Sequence, residues 1–173
     1  SALSVKARNR LEAACAPTIA RKLNSLVSSD RTTKLLIEFI DQARVETVII
    51  PAVDRTTICV SSQVGCARAC DFCLTATMGL LRNLSCSEIV AQVLIGIAEA
   101  KARGLPPVRN IVYMGMGEPL DNLDEVGKSI EIICDDLGLG FGPGHVTVST
   151  VGTHEKAIQA AAQWPSRLAW SLH

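Results

Sequence analysis

The sequence predicts an α/β protein, a parallel sheet with helices laid over it. Three observations predict it. From Thr56 onward, short apolar runs alternate with longer segments of helical periodicity. Each helical segment stops at a glycine or a proline. The residues with chemical potential fall where the strand-like runs end: a cysteine-rich loop, "GMGEP", Ser149-Thr150 and "SLH". Right-handed crossovers would bring those ends to one rim, where α/β proteins gather their functional groups.

The elements follow in order. Residues 1–28 hold Lys6, Arg8, Arg10, Arg21 and Lys22 against one acid, Glu12. Leu3, Ala7, Leu11 and Ala14 share a helical face, which predicts a basic amphipathic helix ending before Pro17. The alternative is an organelle transit segment, which has a similar acid-poor composition. "KLLIEFI" (34–40) and "VETVII" (45–50) read as two strands turning at "DQAR", with Pro51 and Asp54 as punctuation. The expected division is therefore a first segment over 1–54 and a main segment over 55–173.

"TTICVSS" is the next strand and leads into the cysteine loop. Ser85 and Glu88 form a capping box that opens a helix to about Arg103, stopped by Gly104 and Pro106. "NIVYMG" is a strand and "MGEPLDN" its loop; a helix is predicted from about Leu123 to Leu137, closed by Gly138. "HVTVST" is a strand, "HEKAIQAAAQ" a helix stopped before Pro165, and "RLAWSL" a last strand. About four strand–helix units do not close an eight-stranded barrel. The chain also opens without Met and stops on an apolar run. It therefore reads as part of a longer protein.

Composition narrows the classes. A chain of 173 residues can bury a core. With 48% hydrophobic and 20% charged residues it is globular rather than disordered. Lys plus Arg and Asp plus Glu each number 17, which excludes a uniformly basic nucleic-acid binder but not a local basic patch. Residues 1–44 carry such an excess, either for phosphate contact or as a solvated face. No apolar run reaches the roughly 18 residues of a membrane span, so no membrane association is expected.

The cysteines are crowded. "CVSSQVGCARACDFC", Cys59 to Cys73, holds four of the seven. Cys66, Cys70 and Cys73 follow C-x3-C-x2-C, with Cys59 set apart upstream. Crowding of this kind points to metal ligation in a reducing compartment rather than to a disulfide framework. Three thiolates are one short of a closed structural zinc site. On an iron–sulfur cluster, three thiolates leave one iron open to a further ligand. A zinc module remains the alternative at this point.

With Phe72 before its last cysteine, the spacing resembles that of radical S-adenosylmethionine (SAM) enzymes. In order, "VETVIIP", "TICVSSQVGC", "RNL", "NIVYMGMGEPLDN", "VTVSTVG" and "LAWSLH" resemble the RlmN/Cfr-type radical methyltransferases. These methylate carbon 2 or carbon 8 of an adenine in large-subunit ribosomal RNA, and RlmN-type enzymes also act on certain transfer RNAs. The resemblance runs from about residue 34 to the end. It implies a partial radical SAM (β/α) barrel, preceded by the small helix and hairpin. Its cofactors would be a 4Fe-4S cluster and SAM, whose cleavage yields a 5′-deoxyadenosyl radical.

Residue by residue, the resemblance makes Cys66, Cys70 and Cys73 the cluster ligands. Phe72, Gly117, Glu118, Ser149, Ser171, Leu172 and His173 become cofactor-binding residues. Glu46 becomes a proton acceptor, and Cys59 a thiol that helps resolve a protein–RNA crosslink. Taken alone, Glu46 reads as a solvent-facing strand residue, Cys59 as a small buried hydrophobe and Gly117-Glu118-Pro119 as an ordinary turn. The family's methyl-carrying cysteine lies beyond residue 173.

The implied partners are ribosomal RNA, transfer RNA and an electron donor such as flavodoxin or ferredoxin, with a monomer in the cytoplasm or in a plastid or other organelle. The favoured chemistry is at carbon 2. The alternatives are carbon-8 chemistry and an inactive fragment that binds the cluster or RNA. Cys15, Cys86 and Cys134 receive no role. Leu80 and Trp170 depart from the family pattern, and a buried last strand would have to make room for the indole.

Overall fold

The computed structural model describes residues 19–68 and 70–172. The expected amino-terminal helix, Cys15 and His173 lie outside the described residues. The strands are β1 (Ala20–Val27), β2 (Thr33–Phe39), β3 (Arg44–Pro51), β4 (Thr56–Cys59), β5 (Gln63–Gly65), β6 (Leu80–Asn83), β7 (Val108–Tyr113), β8 (Val146–Thr150) and β9 (Arg167–Trp170). The helices are α1 (Cys86–Ala102), α2 (Leu123–Cys134) and α3 (Glu155–Ala161).

Seven strands form one sheet in the order β1-β2-β3-β4-β7-β8-β9. The first four pair antiparallel; β4, β7, β8 and β9 pair parallel, with α1, α2 and α3 in the crossovers. This is the predicted α/β class with four parallel strands, and the sheet is not closed. The hairpin is hydrogen-bonded directly onto the parallel part, since Val48 of β3 faces Cys59 of β4.

Period-two alternation sends one set of side chains under the helices. Leu35, Ile37, Val45, Ile49, Ile58, Ile111, Val146 and Val148 are at most 1% exposed. Ile89 and Val93 of α1, Val126, Ile130 and Ile133 of α2, and Ala157 and Ala161 of α3 close the core. Gly96 lets α1 sit low: a Cβ there would lie 2.8 Å from Ile58 Cδ1. The other face carries Glu46, Val48 and, in one row by register, Cys59, Val112 and Thr147.

The capping box of α1 is present in both directions: Ser85 Oγ accepts the Glu88 N–H, and Glu88 accepts the Ser85 N–H. α2 ends at Cys134 rather than near Leu137, because Asp135 turns extended. Gly138 then presses against the Ile132 carbonyl, where a Cβ would come within 2.1 Å. α3 ends early as well. The chain turns so that Trp164 packs on Gly127 of α2.

Trp170 corrects an expectation. It is 55% exposed, so no buried strand makes room for it. Its indole lies over Gly152, whose φ of 77° and missing side chain leave the space.

β1 was not expected. Its side chains are exposed along nearly the whole strand, so no alternation marks it in the sequence. Among the described residues of this basic segment, four side chains form ion pairs. Arg21 and Arg44 both pair with Glu38, Lys22 with Glu99 and Lys34 with Glu46. Among the described residues no helix is long and apolar enough to cross a membrane.

Candidate active site

A cavity of about 280 Å3 opens at the carboxyl ends of the parallel strands. The loop after β5 contributes Cys66, Arg68, Cys70, Phe72 and Cys73; the loop after β7 contributes Gly115, Gly117 and Glu118. Ser149 and Thr150 close it from β8, and Ser171 from the end of β9. The four sequence-distant segments expected on one rim do meet there. A larger groove, about 590 Å3, lies over α1 and α2, lined by Val90, Leu94, Ile132 and Cys86. It lacks the converging polar groups that orient a small ligand, so the strand-end cavity is the candidate site.

Glu118 is 4% exposed. Its carboxylate accepts hydrogen bonds from the Leu120 N–H (3.0 Å), the Thr150 hydroxyl (2.6 Å) and the Val151 N–H (3.1 Å). These donors hold the carboxylate in a fixed orientation. Gly117 beside it has φ of 96°, and a Cβ there would lie 2.6 Å from Gln63 Cβ. Only glycine fits this position without strain. The hydroxyls of Ser149 and Ser171 share a hydrogen bond of 2.6 Å across the neighbouring strands.

The cysteine loop is bounded by the β5–β6 pair, in which Gln63 faces Asn83 and Val64 faces Arg82. Two devices fasten it. The Cys66 N–H donates to the Gly79 carbonyl (3.0 Å), and the Arg68 guanidinium binds both Asp121 oxygens, one at 2.8 Å. Arg82 anchors β6 from outside by pairing with Asp41 and Glu88, which raises its already high pKa, the Glu88 contact first.

The six described cysteines are free thiols. Burial pushes the Cys66 thiol up, and the charges of Cys70, Cys73 and Glu118 push it the same way. Ionising three neighbouring thiols together therefore calls for a cationic partner.

The donor chemistry fits an iron–sulfur cluster. Cys66, Cys70 and Cys73 all line the cavity, half-buried, with a buried carboxylate and a glycine opposite. Among the described residues no three His, Cys, Asp or Glu side chains converge on a point that would hold a single ion.

The other expected residues are placed as follows. Cys59 is 7% exposed and outside the cavity lining; burial pushes its thiol up to about 11, so at neutral pH it is protonated. Glu46 lies on the same sheet face as Cys59, half-exposed and 3.1 Å from Lys34 Nζ, away from the cavity wall. Phe72 lies on the rim, 67% exposed, whereas Leu172 is exposed and outside the lining. His173 is not among the described residues.

Sequence reasoning missed Arg68, Asp121 and Gln63, and placed Thr150 on the rim without giving it a role. The first two are 53 positions apart, and only the fold pairs them. Gln63 was visible only as a letter inside "CVSSQVGC".

The pattern that defines the radical SAM superfamily matches residues 60–173. A probable RNA methyltransferase of Sorangium cellulosum is 54% identical over 146 residues, 84% of this chain and 37% of that protein. The dual-specificity RNA methyltransferase RlmN of Magnetococcus marinus is 44% identical across all of this chain and 48% of its own length. The crystal structure of a radical SAM methyltransferase from Sphaerobacter thermophilus superposes with a TM-score of 0.88 at 38% identity, covering 99% of this chain and 51% of that one. The chain thus spans between about a third and a half of the relatives it matches. With its superfamily pattern, its cysteine loop and its strand-end cavity in agreement, the chain belongs to the radical SAM superfamily.

Proposed function

We propose that this chain is the cluster- and SAM-binding portion of an RNA methyltransferase acting on carbon 2 of an adenine in 23S ribosomal RNA, with transfer RNA as a further substrate. One observation carries the reading. The three cysteines, Gly117, Glu118, Ser149 and Ser171, drawn from four separate segments, line a single cavity at the strand ends. The relatives' name, dual-specificity RNA methyltransferase, supports RNA as the substrate, and the motif resemblance supports carbon 2 of adenine.

Cys66, Cys70 and Cys73 would hold the cluster, and Glu118 with the Gly117 backbone would receive the ammonium group of SAM. When bound, the cluster supplies the electron that cleaves SAM homolytically. The chain's own residues bind and orient. Glu118 offers a fixed negative charge that needs no rearrangement when a cation arrives. Gly117 lets backbone approach closely, and Ser149 and Ser171 present hydroxyls to polar groups of the ligand. Arg68 ties the cysteine loop to Asp121, so both walls keep their spacing.

The electron would come from a small carrier such as flavodoxin or ferredoxin. The protein would act as a monomer, in the cytoplasm or in an organelle.

Anaerobic reconstitution tests the reading. It predicts about four irons and matching sulfide per chain. Digested ribosomal RNA from cells lacking the gene should lose the mass of one methylated adenosine at carbon 2. One zinc and no sulfide, or unchanged RNA, contradicts it.

A further inference from the structure

The two walls of the cavity come from loops far apart in sequence, and a tripeptide joins them. Ser61, Ser62 and Gln63 stand immediately before the cysteine loop and are at most 2% exposed. All three reach the loop after β7. Ser61 Oγ accepts the Met116 N–H (2.9 Å), and the Ser62 and Gln63 N–H groups donate to the Met116 carbonyl (2.9 and 3.2 Å). Gln63 Oε1 accepts the Glu118 N–H (2.9 Å).

The same side chains bind on their other sides. Ser61 Oγ donates to the Glu46 carbonyl (2.7 Å), and Gln92 grips the Ser61 backbone at both N–H and C=O (2.9 and 3.1 Å). Gln63 Nε2 donates to Asn83 Oδ1 (2.7 Å), on the far leg of the cysteine loop.

We propose that Gln63 and Ser61 are positioning residues that fix the Met116–Glu118 backbone against the cysteine loop, and so set where the Glu118 carboxylate stands relative to the three thiols. The proposal rests on the reading of the cavity as the cluster and SAM site. The Glu118 head is held by Leu120, Thr150 and Val151, but its root is held by Gln63. A primary amide is well suited to this task. Its oxygen takes one loop and its nitrogen takes the other, through one rigid plane. The Glu118 N–H is buried, so without Gln63 Oε1 it is left unsatisfied, and the loop must shift to find another acceptor. Gly117 completes the fit by lying flat on the Gln63 side chain.

Two substitutions separate the hydrogen bond from the shape. Gln63→Met keeps length and packing but has no amide; Gln63→Glu keeps the acceptor. Three readouts are taken on the chain: Glu118 amide exchange before reconstitution, bound iron after it, and SAM affinity by equilibrium dialysis. Gln63→Met is expected to retain its iron, to speed Glu118 exchange and to weaken SAM binding about tenfold. Gln63→Glu should restore the exchange protection and most of the affinity. Ser61→Ala should speed exchange at Met116.

The proposal is overturned if Gln63→Met leaves exchange and affinity as in the wild type, or if both Gln63 variants lose them equally. Should Gln63→Met fail to fold, Asn83→Ala frees the amide from β6, removing with it the Asn83 Nδ2 bond to the Asp121 carbonyl (3.3 Å); faster exchange at Glu118 supports the proposal and unchanged exchange refutes it. If the wild-type chain binds neither cluster nor SAM, the functional reading fails. The amide exchange of the unloaded chain still reads the clamp.

Discussion

The loop after β7 and the loop between β5 and β6 face each other across one cavity. In the first, Met116, Glu118, Leu120 and Asn122 are all at most 7% exposed. Its polar groups are met from several directions: Gln63, Ser61 and Thr150 bind it, and Asn122 donates to the Ser62 and Leu84 carbonyls at 2.8 Å. In the second, the short 3-10 turn Leu74–Met78 has no buried residue, and Phe72, Leu74 and Met78 are more than half exposed. The wall proposed to receive SAM is finished by the protein. The wall that carries the thiols is fastened at Cys66 and Arg68 and left for its cluster to complete, as metal sites commonly couple binding to folding.

The largest effect should come from the unfinished wall. Cys66→Ala, Cys70→Ala or Cys73→Ala should each bring bound iron from about four per chain to near none, read by iron and sulfide analysis. Retention of iron in any of the three breaks the comparison at its root. Loading the cluster should slow hydrogen exchange strongly over residues 66–79 and hardly at all over 114–122. Equal slowing in both would show that neither wall is finished beforehand.

On the finished wall, Glu118→Gln should leave the cluster in place and weaken SAM binding by roughly ten- to a hundredfold, the worth of a buried charge-assisted hydrogen bond. Gly117→Ala puts a side chain at φ of 96° and against Gln63. It should cost on the order of 1–3 kcal/mol in chemical denaturation.

The last effect shows only at alkaline pH and concerns Cys59. Burial pushes its thiol up from 9.0 to about 11. The folded state therefore favours the protonated form. This contribution is complete below pH 9 and disappears as pH rises through 11, about 2–3 kcal/mol in all. Urea unfolding should weaken over that interval, and Cys59→Ala should make the slope shallower.

The two walls also differed in how far they could be read from sequence. The strand ends were legible because apolar alternation in "KLLIEFI", "NIVYMG" and "HVTVST" locates them, and the Ser85–Glu88 box fixes the start of α1. The cluster ligands were legible as spacing plus resemblance. β5 and β6 were not, because they are three and four residues long and owe their pairing to contacts such as Gln63 with Asn83. β1 was hidden for the opposite reason, an edge strand with almost nothing buried. Glu46 and Cys59 matched family positions, yet which face they occupy is set by the β3–β4 register, which no local pattern in the sequence reveals.

In the proposed site, three thiolates hold a cluster with one iron left open for SAM, opposite a preset Glu118. Electron paramagnetic resonance of the reduced, reconstituted chain, recorded before and after SAM is added, tests it most directly. In the wild type the cluster signal should change on addition of SAM. A much smaller change is expected at the same SAM concentration in Glu118→Gln. A cluster signal indifferent to SAM in the wild type would contradict it.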